Sequence, residues 1–489
     1  MVNFRIRKNR LLSLFLVCSQ VLFSQSALDY KIETFGSAAT KNQTPFWILS
    51  NNYGVVPMQS ANTYMRAGTK FLHNSDKGFT YKAGVDLVGS SNELSHLFLQ
   101  QLYGEVEFKS LVLTAGIKET YNSMLDKELS SGDLNYSSNA RPIPELRLSV
   151  PKFTTIPYTK GFFKFRGDFA VGKSSDNYYT LKSKNDVDDY ALDVLWHHKS
   201  LFLLLEDPEQ KNPFSITLGV DHGAQWGGWI TWDDKGKMSE SFSDFLRIMM
   251  VKEGGADAFL GDQINVLGNH QGTMNFKLDY KYKSLILGAY KQHYFDDKSG
   301  VEYANWRDGI WGLELRLQDK KIINKIVGEF INTTHQSGPF HFLNAGRPGR
   351  GGGNDDYYNH DYYKSGWSHW GRSLGSPLIT SPEYNDDGIL FFKNNRIKSW
   401  HLGLQGSLNQ VFSYRILATQ TQSWGKMNLP FLEKKDQFSS LLECIYENNE
   451  KYRGWKLQLQ LALDQGALYG DNFACSLKIS RAGSLLKNR

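Results

Sequence analysis

The densest concentration of chemistry-bearing side chains in this 489-residue chain lies between His335 and Arg396. A Gly-rich run at 346–353 carries Arg347 and Arg350, and Arg372 follows. Guanidinium groups grip carboxylates in bidentate fashion, which suits an acidic polymer. They suit equally well the neutralisation of Asp355, Asp356 and Asp361 in the same tract. Tyr357, Tyr358, Tyr362, Tyr363, Trp367 and Trp370 add flat rings, most with a polar tip. Such rings stack on sugar faces. They also supply the core that a loop of about sixty residues needs. Arg347, Arg350, Tyr357, Tyr358, Trp367, Trp370 and Arg372 are therefore the candidate contacts for a carbohydrate polymer.

Other chemistries find less support. The glycine run lacks the Gly-Lys-Ser/Thr ending of a phosphate-binding loop. His197 and His198 are adjacent, so on a strand they point to opposite faces and cannot share a metal. The other histidines show no His-Glu-x-x-His spacing. A calcium site within 354–361 would lack the EF-hand pattern and its terminal Glu. No metal site, no cofactor and no catalytic residue is expected. A Ser/His/Asp triad is recognised by geometry, so a hydrolase stays an alternative to be tested on the fold.

The elements that must position these residues show a period of two. Trp455, Leu457, Leu459, Leu461 and Leu463 oppose Lys456, Gln458, Gln460 and Asp464. Met274, Phe276, Leu278, Tyr280 and Tyr282 oppose Asn275, Lys277, Asp279 and Lys281. Successive side chains on a strand point to opposite faces, so each strand has one apolar and one polar face. About eighteen such strands can be read, many joined by tight turns such as Lys109-Ser110 and Lys283-Ser284. One segment departs from this period: Ser239–Gly255 reads as an amphipathic helix, with Ser241 as N-cap and Gly254 as stop. It lies within an insert at about 223–271, expected to plug or cover a lumen. The loop at about 335–396 is expected to be extracellular or lumenal.

Composition sets the class. Aromatic residues make up 14 % and charged residues 22 %, which excludes disorder. Past the N-terminus no apolar run reaches about 18 residues, the length of a membrane helix. Residues 1–25 have the layout of a secretory signal peptide: Arg5, Arg7, Lys8 and Arg10, then the apolar stretch Leu11 to Phe23. Cleavage there lowers the net charge from +6 to +2 and removes the electrostatic footprint of a nucleic-acid binder. Only Cys444 and Cys475 then remain, too few for a disulfide framework.

A soluble sandwich and a membrane barrel share the alternating pattern. Strand lengths near ten residues, tryptophans near strand ends and an even count near eighteen favour the barrel. The expected fold is all-β: an antiparallel transmembrane outer-membrane β-barrel of about 18 strands with a small helical plug insert, spanning 26–489. Its last strand is expected to stop near residue 480, leaving about nine trailing residues.

Several tracts carry a resemblance: 197–203, the Asp-His-Gly-Ala-Gln-Trp-Gly-Gly at 221–228, Gly346–Gly352, 354–360 and the Arg-Pro-Ile-Pro-Glu-Leu-Arg at 141–147. Together they resemble the capsule assembly Wzi family as it occurs in Bacteroidetes, over nearly the whole mature chain. The resemblance implies an outer-membrane barrel, closed by a small helical bundle, that binds surface polysaccharide as a lectin. It implies a cell outer membrane location, contact with outer-membrane lipid, no catalysis, and a role in attaching or assembling polymer. A monomer is expected, with polysaccharide-export machinery as a further partner. A diffusion porin or export channel is the alternative, and it requires an open lumen.

Overall fold

The computed structural model describes residues 26–91, 95–183, 190–231, 236–256, 258–264, 266–318, 322–340 and 352–486. The leader segment at 1–25 lies outside them. Nine strands come from the first part: β1 (Ser26–Ala39), β2 (Asn62–Asn74), β3 (Phe79–Ser90), β4 (Leu97–Phe108), β5 (Leu111–Ile117), β6 (Glu145–Thr155), β7 (Phe163–Lys173), β8 (Leu195–Glu206) and β9 (Phe214–Trp226). Nine more complete the set: β10 (Asn269–Tyr282), β11 (Leu285–Phe295), β12 (Gly309–Leu317), β13 (Lys325–Asn332), β14 (Ile397–Ser407), β15 (Phe412–Gly425), β16 (Pro430–Tyr446), β17 (Trp455–Gly466) and β18 (Asn472–Leu486). All pair antiparallel with their sequence neighbours, and β1 closes the ring on β18. A closed sheet leaves no edge of unpaired backbone groups, as a hydrocarbon surrounding demands.

Burial decides between sandwich and membrane barrel. On β17, Leu457 and Leu459 are 40 % and 42 % exposed, whereas Gln460 and Asp464 are 5 % and 1 % exposed. The apolar face looks outward and the polar face inward, the reverse of a soluble sheet. Trp311 and Trp400 stand exposed near one end of their strands and Trp455 at the other, giving an aromatic girdle at each interface. The last strand runs to Leu486, past the expected stop. It continues because the start of β1 offers backbone partners, with Tyr30 opposite Gly483 and Ile32 opposite Arg481.

The two ends differ. Turns such as 109–110 and 283–284 are short, with Lys109 and Lys283 at positive φ, and the start of β1 and the end of β18 lie on that side. The connections at 40–61, 118–144, 227–268 and 333–396 all leave from the opposite end. Short periplasmic turns and long extracellular loops are the habit of outer-membrane barrels, which orients the molecule.

Three of these connections fill the lumen. Phe46, Trp47, Leu129, Leu134, Tyr357, Tyr358, Trp367 and Phe392 pack there into one buried cluster. The 118–144 segment reaches deepest. Asp126 pairs with Lys325 at 2.5 Å, at the periplasmic start of β13, and the Leu129 carbonyl accepts from His401 Nε2 at 2.8 Å. The stopper is mostly irregular chain, with the short α-helix α1 (Phe46–Leu49) and a 3-10 turn at Pro382–Tyr384 within it.

The expected helix forms, but it does not plug. Among the described helices, α2 (Asn177–Ser183) and α4 (Leu260–Ile264) flank α3 (Phe242–Met250), which is opened by a capping box between Ser241 and Asp244. It ends at left-handed Val251 rather than at Gly254. Phe245 packs 5.9 Å from the His197 ring and 6.4 Å from Phe169, and Lys199 donates to the Met249 carbonyl. His197 and Lys199 share the lipid-facing side of β8 with Leu201 and Leu203. The helix therefore lies on the outer wall. Phe242 and Met250 stay 74 % and 62 % exposed, as lipid-contacting side chains do. The apolar stripe was read as a lumen-facing surface, whereas it serves an interfacial one.

Cys444 and Cys475 are free and exposed on the lipid side. Between them runs β17, where Leu459 faces Cys444 and Leu461 faces Cys475. Two inter-strand spacings, about 9–10 Å, exceed the Cα separation a disulfide tolerates. Thiol titration of the denatured, unreduced mature protein is expected to find both, and an intramolecular bridge would contradict the strand order.

Candidate functional site

A cleft of about 890 Å³ opens among the extracellular connections. Its walls come from several separate stretches. The β9–β10 connection and the start of β10 give Asp262, Asn269 and Gln271, and the end of β11 gives Asp296 and Asp297. The β13–β14 connection gives 352–364 and Phe391, and the β15–β16 turn gives Lys426 and Asn428. These residues are distant in sequence because each loop leaves a different strand of one ring.

The 354–361 stretch is held by side-chain amides. Asn359 donates to Asp356 at 3.0 Å and to the Phe392 carbonyl at 2.9 Å. Lys426 pairs with Asp356 at 2.7 Å and lies 5.0 Å from the Phe391 ring centre. Tyr362 packs on Phe259 at 5.0 Å. Tyr362, Phe391, Asn354, Asn359 and His360 are half-buried and line the cleft. Burial pulls His360 down to about 4, so its ring is neutral, and Nδ1 accepts from the Tyr362 amide at 3.1 Å. Half-exposed rings beside paired donors and acceptors match the mixed polarity of a pyranose.

The residues singled out from sequence separate into three groups. Arg347 and Arg350 lie outside the described residues. Tyr357, Tyr358 and Trp367 are sealed in the lumen core. Tyr357 donates to Asp308 at 2.9 Å, Tyr358 to the Leu134 carbonyl, and Trp367 to the Asn135 carbonyl at 2.7 Å. These rings fasten one lumenal segment to another and offer no face to a polymer. Arg372 and Trp370 meet in a small recess away from the cleft. Arg372 pairs with Glu383 at 2.7 Å and donates to the Leu49 and Val56 carbonyls, so it does not neutralise Asp355, Asp356 or Asp361. Trp370 stays half-buried with the Arg141 guanidinium 4.5 Å from its ring centre.

Two motif spacings in the sequence do not form the structures they name. Gly167–Ser174 has the spacing of a phosphate-binding loop, but residues through Lys173 are extended strand β7. Gly371–Gly375 has Gly-x-Ser-x-Gly spacing, but Ser373 is buried in a two-residue strand, with its amide donating to Ser381 Oγ at 3.0 Å. A nucleophile elbow needs an exposed serine between strand and helix.

Sequence reading missed Asp296, Asp297, Phe391, Lys426 and Asn428. The Asp-Asp pair closing β11 is the one signal that marks a strand end as unusual. Burial, with Asp297 and Asp308 as like-charged neighbours, pushes Asp355 up to about 7. Asp296 is raised well above the carboxylate range by burial beside Asp355 and Asp297. A folded pKa above the unfolded value near 3.9 means the folded state keeps its proton longer. The stability held by this cluster is therefore intact below about pH 4 and falls as pH rises to about 7. In chelator-treated protein, amide exchange at 352–356, corrected for intrinsic rate, is expected to be faster at pH 8 than at pH 5. Equal protection would contradict this.

The family profile "Capsule assembly protein Wzi" matches residues 31–380, more than two thirds of the chain. The chain belongs to the Wzi capsule assembly family. Among solved structures, this Wzi-family barrel is similar to Wzi of Escherichia coli, described as an outer membrane protein involved in group 1 capsule assembly and a carbohydrate-binding β-barrel. Identity is 14 %, covering 96 % of this chain and 87 % of that one, with a TM-score of 0.55. OccD3 (OpdP) of Pseudomonas aeruginosa matches at 10 % identity, covering 96 % and 93 %, with a TM-score of 0.48. No curated protein matches the chain.

Proposed function

We propose that this outer-membrane barrel binds surface polysaccharide in the extracellular cleft, without catalysis, and helps attach or assemble the polymer at the cell surface. The observation that carries the reading is the cleft itself, with half-exposed Tyr362 and Phe391 among amide and carboxylate side chains, above a lumen packed with chain. Wzi of Escherichia coli, a relative in fold, is a carbohydrate-binding barrel. Arg347 and Arg350 stay candidates, because Gly352 and Gly353 just after them line the cleft. The protein acts as a monomer, and export machinery would meet it on the short-turn side.

Cell-bound glycan in a deletion strain, complemented by wild type or by Tyr362→Ala/Phe391→Ala, tests the reading. Each lost ring contact weakens stacking by about 0.5–1.5 kcal/mol, so binding of purified glycan should drop roughly tenfold in the double variant. A deletion strain that keeps its glycan as well as its parent would overturn the proposal.

A further inference from the structure

One wall of the cleft gathers carboxylates that no cation among the described residues neutralises. Asp296 and Asp297 close β11, and Asp355 arrives from the β13–β14 connection. One oxygen from each lies within 4.8 Å of the others. Oxygens bound to a single calcium ion at 2.3–2.6 Å span at most about 5 Å, so one ion can reach all three.

A second observation points to a ligand. Asp355 is 8 % exposed, and its Oδ2 has no hydrogen-bond partner among the described residues. Asp296 Oδ1 is likewise shielded and unpartnered. Asp297 uses Oδ1 to cap α5 (Lys298–Val301), accepting from the Gly300 amide at 3.1 Å and Ser299 Oγ at 2.7 Å. Among the described residues no ion pair reaches any of the three carboxylates. Two nearby lysines among the described residues are engaged elsewhere: Lys426 with Asp356, and Lys298 with Glu302 at 3.8 Å.

Several buried carboxylates elsewhere are better served, although Asp86 Oδ1 and Asp464 Oδ1 are also unpartnered. Glu105 is paired with Lys82 at 2.9 Å, Asp168 with Arg147, and Glu443 with Arg415 at 3.2 Å. Glu329 has no cation but accepts from four donors. A buried carboxylate oxygen with neither donor nor cation is costly, and a metal ion removes that cost.

We propose that Asp296, Asp297 and Asp355 bind a calcium ion in the wall of the cleft. An all-oxygen, multiply charged ligand set selects a hard cation over zinc or copper. The inference does not depend on the polysaccharide reading, because ion uptake is measured on the protein alone.

The test is calorimetric titration of CaCl₂ into the full mature chain in detergent, stripped with chelator, at pH 8. Saturable uptake of one ion per chain is expected, with Kd on the order of 10⁻⁴–10⁻³ M, the range of extracellular calcium modules. Asp355→Asn and Asp297→Asn should each weaken it at least about tenfold, through the loss of a charged ligand. Asn also caps helices, so Asp297→Asn keeps α5 and decides the matter should Asp355→Asn misfold, with heat-modifiable gel migration reporting the fold. Affinity should fall at pH 5.5, where protons compete. No saturable uptake up to about 10 mM, wild-type affinity in Asp297→Asn, or tighter binding of Mg²⁺ than of Ca²⁺ would overturn the assignment.

Discussion

Replacing residues 120–142 with a short Gly-Ser linker is expected to turn a nearly silent barrel into a conducting one. In a planar bilayer the intact protein should pass little current, and the variant should show steps about tenfold larger or more, since an unfilled 18-stranded barrel holds an aqueous channel. The linker can be short because the strands it joins are already neighbours, with Gly116 opposite Glu145. What it removes is the deepest part of the stopper. That segment holds the wall all round: Asn122 bonds Ser200 at 2.6 Å, Asn135 bonds Asp221, and Leu134 donates to Gln292 at 2.8 Å. Farther round, Glu128 meets Arg415 at 3.4 Å. Its loss exposes polar wall residues that water can solvate, so the barrel itself should still form. Steady porin-like conductance in the intact protein would show that the lumen is not closed.

The barrel was legible because period-two alternation is a local property and survives in a single sequence. Strands such as Trp455–Gly466 announce both their length and their two faces. The α3 helix was legible as a helix for the same reason, since Ser241 and Asp244 are three residues apart. Its location was not. An apolar stripe states that a surface avoids water, and lumen core and lipid both satisfy it. The aromatic tract at 357–370 left two readings open, because a tyrosine that stacks on sugar and one that bonds a buried carbonyl look alike in sequence. Burial separates Tyr357 and Tyr358, in the lumen, from Tyr362 at the cleft. The cleft was least legible, because its walls come from connections that only barrel closure brings together. Asp296 and Asp355 stand 59 positions apart in the chain.

Glu329→Ala is expected to destabilise the barrel by about 3 kcal/mol or more, the sum of several buried donors left without an acceptor. Glu329 sits on β13 facing inward, 2 % exposed. Its Oε1 accepts from Ser130 Oγ at 2.8 Å and Tyr290 OH at 2.6 Å. Its Oε2 accepts from the Ser131 amide at 2.8 Å and Ser131 Oγ at 2.5 Å. The hydroxyls can rotate to other acceptors, but the Ser131 amide cannot, so its loss is the least recoverable. Tyr290 reaches Glu329 from β11 by crossing β12 at Gly312, where a Cβ would lie 2.0 Å from the tyrosine ring. Gly312→Ala should therefore reproduce part of the effect without touching the carboxylate. Glu329→Gln keeps the shape but turns an N–H₂ toward two of the four donors, and should lose at least half as much as alanine. Urea unfolding from lipid vesicles, compared at equal m-values, measures each shift. Because Ser130 and Ser131 belong to the stopper, Glu329→Ala should also add current flicker to the silent barrel. Unfolding of Glu329→Ala at the wild-type urea midpoint would mean that this carboxylate does not tether the stopper to the wall.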